Sequence, residues 1–399
     1  QKLIDQVNLI ARELLTGLPV VRAFNRQAHE EERFDKASRT LMRTQLFTNR
    51  TMSFMQPVMM LIMNGVSILI VWFGTGLVDT GSMQVGSVIA SITYAMQIIF
   101  SFMIISMVSI ILPRANVAAE RVNEVISTVP HIKDPAAPAD GQLKDTPGAK
   151  IEFKDVTFEY PGSSEPVLSH VNFQVNPGTT TAIVGATGSG KSTVLKLAMR
   201  FHDVTDGQIC VDGIDIRDLS QHALRATLGY VPQKAFLFQG TVADNVAYSD
   251  ASMDESRVES SLETAQASDF VSEMQGGIKA YVSQGGTNIS GGQRQRISIA
   301  RALASSARAI LFDDSFSALD FSTDAALRQA LAKREAGRTK IVVAQRVSTV
   351  LSADQIVVLD EGRVVGLGTH ASLMKTCKVY QEIAHSQLSE SELKGGDAA

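Results

Sequence analysis

Between Thr51 and Pro113 the chain runs for 63 residues with a single charged side chain, Asp79. A long helix on the surface of a soluble core keeps a polar face, and this stretch has none. It divides into two apolar segments, about Met55–Val78 and about Val88–Leu112, of 24 and 25 residues. At 1.5 Å per residue, each is long enough to cross about 30 Å of hydrocarbon. Asp79-Thr80-Gly81-Ser82, between them, is a short polar turn. The stretch therefore predicts two transmembrane helices joined by a tight hairpin.

The flanks orient the hairpin. Lys36, Arg39, Arg43 and Arg50 precede it, Arg114 and Arg121 follow it, and the turn holds neither Lys nor Arg. The excess of positive charge on cytoplasmic flanks puts both outer ends in the cytoplasm and the turn outside. Gln56, Asn64 and Gln97 lie inside the spans. Polar groups in lipid need partners, supplied by a wet cavity or by a neighbouring helix. Eight methionines (among them Met59, Met60, Met96 and Met103) suit either adaptable contact with hydrophobic ligands or ordinary helix packing.

Residues 1–50 are polar with helical spacing, interrupted at Gly17-Leu18-Pro19. Residues 19–24 are expected to form a short cytoplasmic connecting helix, and Glu30-Glu31-Glu32-Arg33 a solvated helix face. The chain starts at Gln1, and is expected to be the later part of a longer membrane protein. A partial transmembrane region is thus expected over 1–128. Pro130, Pro135, Pro138 and Pro147, with Gly141 and Gly148, mark a linker over 129–150.

From Ile151 short β-branched runs alternate with helical stretches, the pattern of an α/β domain. Ile151–Tyr160, Thr179–Val184, Ala309–Asp313, Lys340–Ala344 and Gln355–Leu359 are predicted strands. The domain is expected over 151–385 and a polar tail over 386–399. A net charge of −4 offers no basic surplus for nucleic acid. Two distant cysteines, Cys210 and Cys377, exclude a disulfide framework and a thiolate metal cluster.

Gly185-Ala186-Thr187-Gly188-Ser189-Gly190-Lys191-Ser192 has the GxxxxGK[ST] pattern of a phosphate-binding loop, with Thr193 following. It comes after an apolar strand and before a helical pattern, the context the motif requires. Its glycines allow backbone N–H groups to curl around phosphate oxygens. Lys191 reaches the β and γ phosphates of ATP, and Ser192 supplies a Mg²⁺ ligand. Asp313 ends an apolar strand and is expected to hold Mg²⁺ through water. Asp314 follows as a candidate general base, or as a capping acid.

The residues between these motifs resemble the ABC transporters in their exporter form. Asn288-Ile289-Ser290-Gly291-Gly292-Gln293 resembles the signature motif, and Gln233 the Q-loop glutamine that touches the metal. Tyr160 resembles the aromatic residue stacked on adenine, and Ser317-Ala318-Leu319-Asp320 the D-loop. The resemblance implies ATP and Mg²⁺ as cofactors and an inner-membrane, multi-pass location with a cytoplasmic ATPase domain. It also implies that the chain holds the end of the fourth membrane helix, then the fifth, the sixth and the ATPase domain. Leu18–Phe24 would be the second coupling helix, with Arg22 and Phe24 as candidate contacts. Ser290, Gly291, Gly292 and Gln293 would act on the ATP of a second subunit.

Two positions depart from that family's pattern. Asp314 stands where Glu is usual, which retracts the carboxylate by ~1.5 Å. Gln345 stands at the switch position in place of His and can carry neither charge nor proton. A misplacement of ~1 Å can cost about 10²-fold in rate. Together the two departures predict a Walker site that binds ATP but hydrolyses it poorly. With an intact signature they also predict a heterodimeric multidrug exporter, whose other subunit carries the Glu and the His. The substrate would be a small hydrophobic or amphipathic compound, with membrane lipid as surroundings. Two alternatives stand beside this: an ATP-gated channel or regulatory subunit, and a homodimeric exporter with two slow sites.

Overall fold

The structure, a computed structural model, describes residues 2–387. Most of the tail expected at 386–399 lies outside the described residues. The chain divides into two compact units, one ending at Val129 and the other beginning at Pro130.

The first unit is helical. Helix α1 covers Lys2–Thr16, α2 Leu18–Ala23, α3 Gln27–Asp79 and α4 Val85–Ser127. Gly17 and Pro19 separate α1 from α2, because Pro fits the first turn of a helix but not its interior. Asn25, at a φ of 52°, reverses the chain before α3. Arg33 of α3 reaches back to Glu13 of α1 at 2.9 Å. The Glu30–Arg33 run is therefore not solely a solvated face.

Helix α3 has 53 residues, about 80 Å of continuous helix. Helices α3 and α4 contain windows of mean hydropathy 2.0 and 2.3. Their large apolar side chains are exposed: Trp72 is 75% exposed, Leu61 74% and Phe102 62%. Exposed apolar surface on that scale is untenable in water, and hydrocarbon covers it at no cost. The two helices meet at Gly74, where an added Cβ would come within 3.0 Å of both Val88 methyl groups. A small residue there lets the backbones approach.

Among the described residues the second unit holds twelve strands: β1 Ile151–Phe158, β2 Leu168–Val175, β3 Thr180–Gly185, β4 Asp206–Val211, β5 Ile214–Asp215, β6 Leu228–Val231, β7 Gly240–Thr241, β8 Tyr281–Val282, β9 Ala309–Asp313, β10 Thr339–Val343, β11 Gln355–Asp360 and β12 Arg363–Gly368. The central sheet has the order β12-β11-β3-β10-β9-β6 and is parallel except at β12. Parallel strands covered on both faces are apolar along their length, as β9 is up to its last residue, Asp313. Ile183, Leu311 and Ile341 pack toward an antiparallel sheet of order β2-β1-β4-β5. Ala182, Ile310, Phe312 and Val342 pack with the helices on the opposite side, through Leu262, Ile299 and Leu327.

Residues 130–150 lack regular structure apart from one turn of 3₁₀ helix at Asp140–Gln142, yet they are stitched to this unit. Asp140 accepts hydrogen bonds from the Ser220 amide and hydroxyl at 2.8 and 2.7 Å. Asp134 accepts from the Gln221 amide at 2.9 Å. Arg308, at the foot of β9, bonds the Thr146 and Gly148 carbonyls and pairs with the buried Asp212 at 2.7 Å.

Candidate nucleotide site

The strand register assembles the site. In the central sheet Val343 of β10 sits beside Asp313 of β9 and beside Ile183 of β3. The segments leaving the carboxyl ends of these three strands are thereby side by side, where open α/β sheets bind their ligands. They are the phosphate loop after β3, Asp314 after β9 and Gln345 after β10.

The phosphate loop turns at Gly190, whose φ of 96° leads into the helix Lys191–Ala198. A Cβ there would lie 2.6 Å from the Leu168 side chain, so only glycine fits. Thr187, Gly188, Gly190, Lys191, Ser192 and Thr193 line a cavity of about 230 Å³ that Gln233, Asp314 and Gln345 also border. Gly185 and Ser189 complete the loop. The Ser189 hydroxyl is buried without a hydrogen-bond partner among the described residues. Lys191 donates to the Gly185 and Ala186 carbonyls at 2.9 and 2.7 Å. Burial lowers its pKa, against the opposing pull of Asp314 and Asp313.

Ser192 donates to Asp313 at 2.6 Å, and Tyr230 donates to the other carboxylate oxygen at 3.1 Å. Burial raises the Tyr230 pKa, with the Asp313 charge adding to it, so the phenol stays a donor. Tyr230 was not singled out from the sequence. Its place on β6, parallel to β9, is what aims it at Asp313.

Asp314 is buried and has a φ of 47°. Its Oδ2 accepts from Gln345 Nε2 at 2.7 Å and from Gln233 Nε2 at 3.1 Å. Burial pushes its pKa up, while the Gln233 and Ser317 bonds pull it down. Both positions that depart from the family pattern thus meet in one contact.

The remaining predicted residues lie elsewhere on the unit. Tyr160 packs edge-on against Phe158 and His202, and its hydroxyl is 3.3 Å from the Thr193 hydroxyl. Ser290 caps the helix Gly291–Ala304: it accepts from the Gln293 amide, and the Gln293 side chain accepts from the Ser290 amide. Ser290 and Gly291 are exposed, and a Cβ on Gly292 would crowd the Ala318 carbonyl at 3.3 Å. None of the four signature residues borders the cavity that Lys191 lines. Asp320 caps the helix Phe321–Arg334, accepting from the Thr323 amide at 2.9 Å and the Ser322 hydroxyl at 2.6 Å. Those bonds hold its carboxyl far below the usual range.

This arrangement has a counterpart in known families. Residues 168–317 match the family model described as ABC transporter, and residues 1–102 match that of the ABC transporter transmembrane region. Together the two stretches cover more than half of the chain. The chain belongs to the ABC transporters. It carries an ATP-binding module of that family after a membrane-embedded region.

Among its relatives is an uncharacterized ABC transporter ATP-binding protein of Mycobacterium tuberculosis, 43% identical over 97% of this chain and 66% of the relative. An ATP-dependent lipid A-core flippase of Saccharophagus degradans is 34% identical over 98% of this chain and 65% of the flippase. The structure of a bacterial Atm1-family ABC exporter with ATP bound superposes with a TM-score of 0.85 at 29% identity, covering 98% of this chain and 69% of that one. The chain spans about two thirds of the length of the curated relatives it matches.

These similarities correct one expectation. They run to an Atm1-family exporter and to lipid A-core flippases, not to the degenerate subunit of a heterodimeric multidrug exporter. A different partner carrying the Glu and the His is not supported. The physical error lay in concluding that Asp314 and Gln345, two departures at one hydrolysis centre, must be made good by another chain. They are hydrogen-bonded to each other, and the same chain presents an ordered, exposed signature.

Proposed function

We propose that this chain is the subunit of a homodimeric ABC exporter that uses ATP to move hydrophobic, lipid-like compounds across the inner membrane. In this reading α1 ends the fourth membrane helix, α3 and α4 are the fifth and sixth, and the ATPase domain is cytoplasmic. The observation that carries it is that one chain presents both halves of a composite site: the cavity lined by Lys191 and Ser192, and the exposed Ser290 and Gly291. Two identical copies, each facing the other's signature, would then complete two sites. The likeness to lipid A-core flippases supports a lipid-like substrate.

The residues fit Mg-ATP. Lys191 is a largely buried cation held only by loop carbonyls, free to exchange them for phosphate oxygens. Ser192 and Asp313 bring hard oxygen donors together, as Mg²⁺ requires. Bound Mg²⁺ neutralises charge developing on the transferred phosphate. Gln233 borders the same cavity and donates to Asp314, Tyr160 flanks the loop for adenine, and Asp320 orders the helix after the D-loop. Helix α2, with Phe24 75% exposed, is the element that docks on the other copy's ATPase domain. Asp314 orients the attacking water and takes its proton. Its short side chain, and a Gln345 without charge, keep both sites slow.

The test is the full-length chain expressed alone and reconstituted in liposomes with a fluorescent lipid. A dimer showing Mg-ATP-dependent lipid movement and slow ATPase turnover is expected. Absence of lipid movement from this chain alone would sink the reading.

A further inference from the structure

The switch segment is held from a direction the family motifs do not use. The helix Lys378–Gln387 carries Gln387, whose side-chain amide spans two backbone groups after β10. Gln387 Oε1 accepts from the Val347 amide at 2.8 Å, and Gln387 Nε2 donates to the Gln345 carbonyl at 3.0 Å. One planar amide thus satisfies the donor and the acceptor of a three-residue stretch, much as a neighbouring strand would. The Gln345 side chain at the start of that stretch is the one that reaches Asp314.

The helix is anchored well enough to transmit this hold. Tyr380 is fully buried, with its hydroxyl 2.8 Å from His370 Nδ1. Ala384, one turn later, is buried in the core shared with β11. Gln381 donates to the Met374 carbonyl at 2.7 Å. Gln387 itself is exposed, so its value lies in its two hydrogen bonds and not in burial. Residues 345 and 346 lie outside any strand or helix, and Val347 opens the short 3₁₀ turn Val347–Thr349. Without the clamp the Gln345 carbonyl and the buried Val347 amide lose these partners, and the stretch gains freedom.

We infer that Gln387 is a positioning residue for ATP hydrolysis, clamping residues 345–347 so that Gln345 stays on Asp314. The inference rests on the proposal that Asp314 and Gln345 form the hydrolysis centre. Glutamine suits the role because it offers a donor and an acceptor at once. Glutamate keeps the acceptor but turns the second contact into repulsion with the Gln345 carbonyl. Alanine removes both contacts.

The test is steady-state ATPase kinetics of the full-length reconstituted exporter with Gln387→Ala, Gln387→Glu, Gln345→Ala and the Gln345→Ala/Gln387→Ala pair. Gln387→Ala should lower kcat about tenfold with KM for ATP within about twofold, and Gln387→Glu should fall between it and wild type. In the Gln345→Ala background, Gln387→Ala should cost nothing more, because the clamp acts through Gln345. Full independent losses in the double variant would overturn the inference, as would an unchanged kcat in both Gln387 variants. A fall in thermal stability with kcat per folded molecule unchanged would assign Gln387 a structural role and overturn it too. If Gln345→Ala leaves turnover untouched, the Asp314–Gln345 centre itself is wrong and the inference falls with it. If Gln345→Ala slows turnover and Gln387→Ala does not, only the inference fails.

Discussion

Gln345 donates its side-chain amide to Asp314 Oδ2 at 2.7 Å, on the oxygen that Gln233 also reaches. The carboxylate is held between two neutral donors, with no cation among its hydrogen-bond donors at that oxygen. A histidine at 345 could add charge when protonated. The glutamine fixes the direction of the carboxylate and adds no charge to offset its burial.

Lengthening that carboxylate should therefore restore rate. Asp314→Glu is expected to raise kcat for ATP at least about tenfold in the reconstituted exporter, and Asp314→Asn to abolish turnover while ATP still binds. Nucleotide binding by fluorescence titration, alongside phosphate release, separates the two outcomes.

The pKa of Asp314 is raised by burial, which fixes the sign of two pH effects. Only the ionised form accepts a proton from water, so kcat should fall with decreasing pH at a higher pH than an ordinary carboxylate, about 4, would set. The folded state also binds this proton more tightly than the unfolded state. The ionised group thus costs stability above its folded pKa, and the cost vanishes below the unfolded value. Asp314→Asn should raise the melting temperature at pH 7.5, and the gain should shrink as the pH falls toward 4.

Lys191 is the cation nearest the phosphate cavity, and its pKa is lowered by burial. Replacing it by methionine keeps the length and removes the charge. A charge-assisted hydrogen bond contributes roughly 1.5–3 kcal/mol, so ATP affinity should fall about 10- to 100-fold. Isothermal titration with Mg-ATP measures it.

Arg308 clasps residues 146–148 and pairs with Asp212, whose side chain is 1% exposed. Arg308→Ala leaves that carboxylate buried without its cation, at a cost of about 3–5 kcal/mol. Chemical unfolding of an ATPase fragment starting at Pro130 should register this loss. A fragment starting at Ile151 should be less stable than one starting at Pro130, because Asp134 and Asp140 are missing from it.

What was legible depended on how far apart the partners lie in sequence. Strand β9 was readable to the residue, since four apolar positions and an aspartate leave no amphipathic choice. The phosphate loop was readable because its residues are contiguous. Strand β2 was missed although Val171, Phe173 and Val175 alternate with polar residues; His170, at a φ of 53°, breaks the regular backbone within it. The Tyr230–Asp313 bond spans 83 residues and exists only because β6 lies parallel beside β9. Asp314 and Gln345 were both noticed, as two departures at one hydrolysis centre. Their contact follows from the β9–β10 register, which pairs Asp313 with Val343, and only the hydrogen bond itself was out of reach of the sequence.

The unbroken length of α3 has a mechanical consequence. Its polar portion, residues 27–50, runs into the apolar portion without a break in the helix, Pro57 lying just inside the latter, and forms about 36 Å of lever. A tilt of about 10° in the apolar portion swings the far end by about 6 Å, roughly one helical turn. Small rearrangements in the bilayer therefore arrive at α2 amplified, and movements imposed at α2 are geared down on their way to the lipid.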